Sequence, residues 1–210
     1  MGNHDLTLGA ILKGRSGLAS GLYAATPVLT ATGWVTMADL VPGDLIVTRD
    51  HGLLPIVMIA TETRAALWAV LFPKDALGNE GPVLLPPGQP VLVESAHALP
   101  FGGETTTLVP AASLEGWRGI APFVPSSRET ILQMRLGRPG LVQAGPGLIL
   151  GVEGIDSGEV DLIRSFFHAP KHAVLPLAAA RRLVASLIAE EAGQSLRTCD
   201  QAALRPENRL

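Results

Sequence analysis

Short apolar runs separated by turn-forming residues recur along most of this chain, and they constrain its fold more than any other feature. Residues 28–30, 34–37 and 45–48 are the first such runs, and many of the 23 glycines and 17 prolines among the 210 residues stand between runs of this kind. Runs rich in valine, isoleucine and threonine, bounded by glycine, proline or aspartate, are typical of short strands joined by tight turns. The sequence therefore predicts a mostly β-stranded body.

The end of the chain has a different pattern. Between residues 176 and 192, apolar side chains recur at helical spacing. Pro176 suits the first helical position and Gly193 suits a helix end, so we expect an amphipathic α-helix that closes the β-stranded body. The residues expected on its apolar face are Leu177, Ala180, Val184, Leu187 and Ile188.

Composition excludes several classes of function. Charged residues make up 17% of the chain, the formal net charge is −3, and no cluster of lysine and arginine is present, which argues against binding to nucleic acid. The apolar runs are much shorter than the roughly 18 residues that a membrane helix needs. His4 and Asp5 stand where a signal peptide would be basic. We therefore expect a soluble protein that does not bind membranes and is cytoplasmic by default.

Three regions follow from these patterns. Residues 1–22 are rich in glycine and serine and are interpreted as a flexible leader. Residues 23–170 form the predicted β domain. Residues 171–210 form the predicted C-terminal helix and a polar tail.

Residues 25–50 read ATPVLTATGWVTMADLVPGDLIVTRD, with a Thr-x-Val start, a Thr-x-x-Gly-Trp turn, and Asp-Leu followed by Pro-Gly-Asp-x-Ile-x-Thr. This stretch resembles the opening of a Hint domain, the β-rich fold shared by hedgehog autoprocessing domains and inteins. Residues 75–79, 84–93 and 108–114 resemble later parts of the bacterial branch of the family. The likeness spans about residues 20–152 and implies a Hint-like β-fold, with the C-terminal helix as a family tail.

The resemblance also implies where the chemistry of such a domain would lie. In the family, a thiol or hydroxyl attacks the preceding peptide carbonyl to form a (thio)ester, and a histidine from a later strand protonates the departing nitrogen. The nucleophile position falls on Gly21 and the histidine position on Gln89. Glycine has no nucleophile, and a glutamine amide is not a general acid near neutral pH. The resemblance therefore implies a degenerate domain without self-cleavage, acting as a binding or structural module.

Two alternatives stay open. Ser20 lies one residue before the expected nucleophile position, and an autoprocessing domain that used Ser20 would release the leader; Ser16 lies further out, and His97 is the nearest histidine after Gln89. Alternatively, the chain is a structural part that works through oligomerisation or through its C-terminal helix. The favoured hypothesis is a cleft that holds an extended peptide or protein segment by strand pairing, which needs no catalyst.

Other residues with chemical potential are given structural interpretations. His51 is interpreted as a turn residue because adjacent side chains such as Asp50 rarely point at each other, and Pro170 between His168 and His172 argues against a metal site on a helix. Cys199 is predicted to lie beyond the helix, in the polar tail. His4 and His97 are interpreted as surface residues. We expect no metal and no cofactor, core packing of Trp34, Trp68 and Trp117, and either packing under the helix or an exposed docking role for residues 162–167.

Overall fold

A computed structural model describes residues 18–62, 68–102, 104–126, 129–155 and 173–203. In these residues the chain forms thirteen strands and two α-helices, so the prediction of a mostly β-stranded body with a C-terminal helix is confirmed. The strands are β1 Leu22–Tyr23, β2 Pro27–Thr30, β3 Gly33–Thr36, β4 Leu45–Thr48, β5 Gly52–Thr61, β6 Ala69–Phe72, β7 Val83–Leu85, β8 Pro90–Glu94, β9 Thr106–Pro110, β10 Ala121–Phe123, β11 Ile131–Leu136, β12 Gly140–Ala144 and β13 Leu148–Val152. The helices are α1 Leu99–Gly102 and α2 Leu177–Ala203.

The described strands form two antiparallel sheets. The larger sheet has the order β1-β11-β5-β4-β2-β12-β13-β8-β9, with β3 paired to β2, and the smaller has the order β10-β6-β7. Strand β12 pairs with β2, β4 and β13. In this topology β1 lies beside β11, and β8 lies beside β13. Strands β1 and β8 are distant in sequence, since Tyr23 and Pro90 are 67 positions apart.

Threonine side chains close the first hairpins. In the turn between β4 and β5, the Thr48 hydroxyl donates to the Gly52 carbonyl at 2.8 Å and accepts from the His51 N–H at 3.1 Å. In the turn between β2 and β3, the Thr30 hydroxyl donates to the Gly33 carbonyl at 2.8 Å. Such local bonds satisfy backbone groups that the strands leave unpaired, which is why threonine is common in these turns.

One main core lies between the sheets and α2. It takes alternate residues from the strands, because successive side chains of a strand point to opposite faces. Side chains from all parts of the fold are fully or almost fully buried in it, including Val28, Met37, Ile46, Ile56, Phe72, Leu85, Val91, Leu114, Leu136, Leu150 and Leu183.

Helix α2 packs on the body through a narrower stripe than predicted and extends further. Leu183, Val184 and Leu187 are buried, whereas Ile188 is 39% exposed. The helix does not end at Gly193 but continues to Ala203, so Cys199 lies within it rather than in a tail. A glycine inside a helix costs about 1 kcal/mol relative to alanine, which the rest of a long helix can offset.

Ion pairs join α2 to the β-stranded body on its exposed side. His97 Nε2 lies 2.9 Å from Glu190 Oε2, and Arg118 Nη2 lies 2.7 Å from Glu191 Oε1. The Arg118 guanidinium also stacks 4.5 Å from the ring centre of Trp117. His97 is thus a partly exposed residue that contacts the helix, and pairs of this exposure contribute only about 0–1 kcal/mol each.

Two further features differ from the predictions. Ala19 and Leu22 are buried, and Leu22 pairs with Leu132 of β11, so the described end of the predicted leader, residues 18–22, packs against the sheet. Trp34, predicted to pack in the core, is 44% exposed; it lies on β3, which among the described strands pairs with β2 alone. Trp117 is buried and Trp68 packs against the core, as predicted.

Within the described residues, no helix has the length and apolar character required to span a membrane.

Candidate functional site

The two residues predicted at the catalytic positions, Gly21 and Gln89, contact each other. Gly21 immediately precedes β1, and Gln89 immediately precedes β8. The Gly21 N–H donates a hydrogen bond to Gln89 Oε1 at 3.0 Å. The fold therefore brings the predicted nucleophile position and the predicted histidine position into direct contact.

The Gln89 side chain is buried and its amide group is fully engaged. The residue is 3% exposed. Besides accepting from Gly21, it donates through Nε2 to the Gly151 carbonyl at 3.0 Å and to the Pro90 carbonyl at 3.2 Å. These three bonds fix which end of the amide is the acceptor and tie β8 and β13 to the chain just before β1.

A second glutamine, Gln133 of β11, holds the other side of the same peptide bond. Its Nε2 donates to the Ser20 carbonyl at 3.2 Å and to Glu62 Oε2 at 2.6 Å. The peptide between Ser20 and Gly21 is thus bonded at its oxygen by Gln133 and at its nitrogen by Gln89. We call this peptide and the two glutamines the glutamine clamp. No motif in the sequence marks Gln133, which is a polar residue in a strand whose apolar and polar residues alternate imperfectly.

The backbone at Gly21 excludes any other residue without a shift. Its φ is +128°, a conformation that residues with a Cβ rarely adopt. A Cβ added there would lie 2.6 Å from the Leu132 carbonyl oxygen and 2.9 Å from Ile131 Cγ2. The Leu132 oxygen belongs to the backbone of the strand that pairs with β1, so it cannot move aside freely. Gly21 therefore has no nucleophilic side chain, and its surroundings leave no room for the side chain of a cysteine or a serine.

Ser20, the alternative nucleophile, lies at the edge of the glutamine clamp. Its Oγ is 3.5 Å from Gln89 Oε1, at the outer limit of a hydrogen bond. The carbonyl that it would attack belongs to Ala19 and accepts a hydrogen bond from the Gly88 N–H at 2.8 Å. That bond would polarise the carbonyl. Gln89 cannot, however, take the proton from the hydroxyl or give one to the departing nitrogen.

A cleft of about 480 Å³ adjoins the glutamine clamp. Its size falls in the range of ligand pockets. The ionisable side chains that line it in the described part of the chain are Glu62, Arg135 and Glu153, and no described histidine, cysteine or lysine lines it. The apolar lining includes Leu18, Leu132, Met134, Val174 and Leu177.

Tyr23, in β1, does not supply a base. Burial raises the pKa of its phenol above the usual value of 10.0, and the Glu129 carboxylate raises the pKa further. The phenol oxygen is buried without a hydrogen-bond partner among the described residues. The group therefore stays protonated near neutral pH.

The other sequence candidates lie away from the cleft or outside the described residues. His51 lies in its predicted turn, but its Nε2 is 3.4 Å from Asp50 Oδ2, so the two adjacent side chains do approach each other. His4, Ser16, His168, His172 and residues 162–167 lie outside the described residues. In the residues that are described, no three histidine, cysteine, aspartate or glutamate side chains lie close enough to hold a metal ion.

Comparison with known proteins gives the class of this domain. A family model described as "Hint domain" matches residues 21–146, more than half of the chain. The chain therefore belongs to the Hint domain family, and the predicted resemblance and Hint-like fold are confirmed. No curated protein sequence matches the chain.

Structure comparison matches this chain to inteins and to an intein-like domain at low sequence identity. A bacterial intein-like domain from Clostridium thermocellum is 13% identical, with a TM-score of 0.49, over 64% of this chain and 99% of that one. The MchDnaB-1 intein is 15% identical, with a TM-score of 0.40, over 63% and 100% of the two chains. The Msm DnaB1 intein splicing domain, in a structure described as bound with zinc, is 18% identical, with a TM-score of 0.42, over 63% and 100%.

Proposed function

We propose that this Hint domain does not cleave itself and serves as a binding module whose cleft holds an extended peptide segment. In this proposal Gly21 and Gln89 occupy the positions of the family nucleophile and histidine. The observation that carries it is the glutamine clamp: the peptide that would be cleaved is held at both its oxygen and its nitrogen by neutral amides. A clamp of this kind stabilises the intact peptide and supplies no proton transfer.

An acyl shift at this peptide needs two events. A nucleophile must add to the Ser20 carbonyl carbon, and the Gly21 nitrogen must gain a proton as the C–N bond breaks. Gly21 supplies no nucleophile, and its N–H donates a hydrogen bond to Gln89 Oε1, a group that cannot give the nitrogen a proton. The Gln133 bond to the Ser20 oxygen would stabilise an oxyanion, but without the other two groups that contribution starts no reaction.

The binding role is supported by the cleft beside the clamp. Its walls come from the segment before β1, from β11 and β13, and from the segment that leads into α2. Strand β1 lies at the end of the large sheet, but Leu22 and Tyr23 are buried, so the proposed segment would lie in the cleft and not along β1. Binding of an extended segment requires no catalytic group.

Self-cleavage at Ser20 is the competing function, and the Gly88 bond to the Ala19 carbonyl favours it over cleavage at other serines. Intact-mass spectrometry of the purified full chain, incubated with and without hydroxylamine or a strong thiol, separates the two. We expect one unchanged mass under all conditions, and the same for Ser20→Ala. A shorter species that begins at Ser20, and that disappears in Ser20→Ala, would instead establish an autoprocessing domain.

A further inference from the structure

We infer that the cleft recognises a carboxylate attached to an apolar chain, with Arg135 as the residue that binds the carboxylate. The inference rests on the proposed binding role of the cleft and names the chemistry of what it binds. It starts from Arg135, whose side chain is only 9% exposed although it lines the cleft. Arginine is among the residues least often buried without a partner.

Arg135 has more donors than the protein uses. A guanidinium carries five N–H groups in a planar fork. In the described part of the chain, the interaction found for this one is an ion pair of Nη1 with Glu153 Oε2 at 2.9 Å. A nearly buried cation with unused donors is costly unless a ligand or water fills them. A guanidinium can bind a carboxylate in bidentate fashion through two of its N–H groups, so the remaining donors are sufficient for one more carboxylate.

The charges around the cleft favour a singly charged anion. Glu153 and Glu62 also line the cleft, and they would repel a doubly charged phosphate more strongly than a carboxylate. Glu153 is 54% exposed, so it can turn towards solvent and leave room for a ligand carboxylate on the remaining donors of Arg135. Glu62 already accepts a bond from Gln133. The cleft would therefore bind one charged group of the ligand, through Arg135.

The rest of the cleft suits an apolar chain next to that carboxylate. Leucine, methionine and valine side chains make up much of the described lining. Burying an apolar group in such a pocket removes apolar surface from water and so adds to the affinity. Two sources share this chemistry, namely the C-terminal end of an apolar peptide and a free aliphatic acid.

Calorimetric titration of the full chain tests the inference with four probes: octanoate, octanamide, and acetyl-Leu-Val-Leu with a free or an amidated C-terminus. We expect the acids to bind and the amides to bind about tenfold more weakly or not at all, because only the acids pair with the guanidinium. The acid that binds more tightly identifies the source.

Two variants locate the effect. Arg135→Gln should weaken binding of the acid by about tenfold or more. Glu153→Gln should strengthen it by about three- to tenfold, because the negative charge that repels the ligand carboxylate is gone. Glu153 is exposed, so Glu153→Gln remains a valid test even where Arg135→Gln folds poorly. Glu94→Gln, which breaks the exposed pair with Arg49, is the matched control and should change nothing.

The outcomes separate this inference from the proposed function. Equal binding of acids and amides would overturn the carboxylate inference and leave the binding role of the cleft intact. A gain in affinity that fails to appear in Glu153→Gln would also overturn it. Absence of binding by all four probes at millimolar concentration would count against both.

Discussion

Replacing Gly21 with alanine is expected to lower the free energy of unfolding by about 3 kcal/mol or more. The added Cβ would need a φ of +128° and would lie 2.6 Å from the Leu132 carbonyl oxygen. Relief of that contact would separate β1 from β11 and stretch the bond between the Gly21 N–H and Gln89. Chemical denaturation at neutral pH, followed by circular dichroism, measures the loss.

Gly33→Ala is the matched control for this prediction. Gly33 has a similar φ of +114°, but a Cβ there would meet nothing within 4 Å. It should therefore cost only the backbone strain, about 1–2 kcal/mol. Equal losses in the two variants would show that the close contact at Gly21 is absent.

The same contact affects any attempt to restore cleavage. Combining Gly21→Cys with Gln89→His supplies a thiol and an imidazole, yet the cysteine Cβ would meet the same oxygen of Leu132. If this double variant fails to cleave, two explanations are possible. Either the backbone at residue 21 cannot accept a side chain, or Gly21 and Gln89 are not the positions of the family nucleophile and histidine. The stability of Gly21→Ala tells these explanations apart.

Replacing Gln89 with methionine is expected to lower the free energy of unfolding by about 2–4 kcal/mol. Methionine keeps most of the volume but removes the hydrogen bonds to the Gly21 N–H and the Gly151 and Pro90 carbonyls. Each buried backbone group left without a partner costs about 1–3 kcal/mol, and water entering from the cleft would recover part of it. Urea denaturation measures the change.

Gln143→Met provides the comparison for that variant. Gln143 lies in β12, is half-buried, and has no recorded side-chain hydrogen bond in the described structure. Its replacement should change the free energy of unfolding by less than about 1 kcal/mol. A loss at Gln89 no larger than at Gln143 would contradict a structural role for the clamp.

The sequence predicted those parts of the fold that depend on local patterns. Alternating apolar residues and turn-forming residues placed the first hairpins, and helical spacing predicted α2 from Pro176, one residue before its start at Leu177. The family resemblance supplied Gly21 and Gln89, which the structure then brings into contact. Each of these predictions rests on neighbouring residues or on a motif of fixed spacing.

The features that the sequence did not predict depend on distant contacts. Leu22 and Tyr23 pair with β11 although small residues surround them, because a strand more than 100 residues away supplies the hydrogen bonds. Gln133 and Arg135 of β11 both line the cleft, although no motif near them in the sequence marks a site. Gly193 resembled a helix end, and α2 continues past it. No local pattern carries this information.

Hydrogen exchange of the Gly21 amide, measured by NMR on the ¹⁵N-labelled full chain, tests the central claim that the peptide between Ser20 and Gly21 is clamped and intact. The account predicts a slowly exchanging Gly21 amide in the native chain, and faster exchange in Gln89→Met at matched global stability. A rapidly exchanging Gly21 amide in the native chain, or its replacement by the signal of a new chain end, would contradict the clamp.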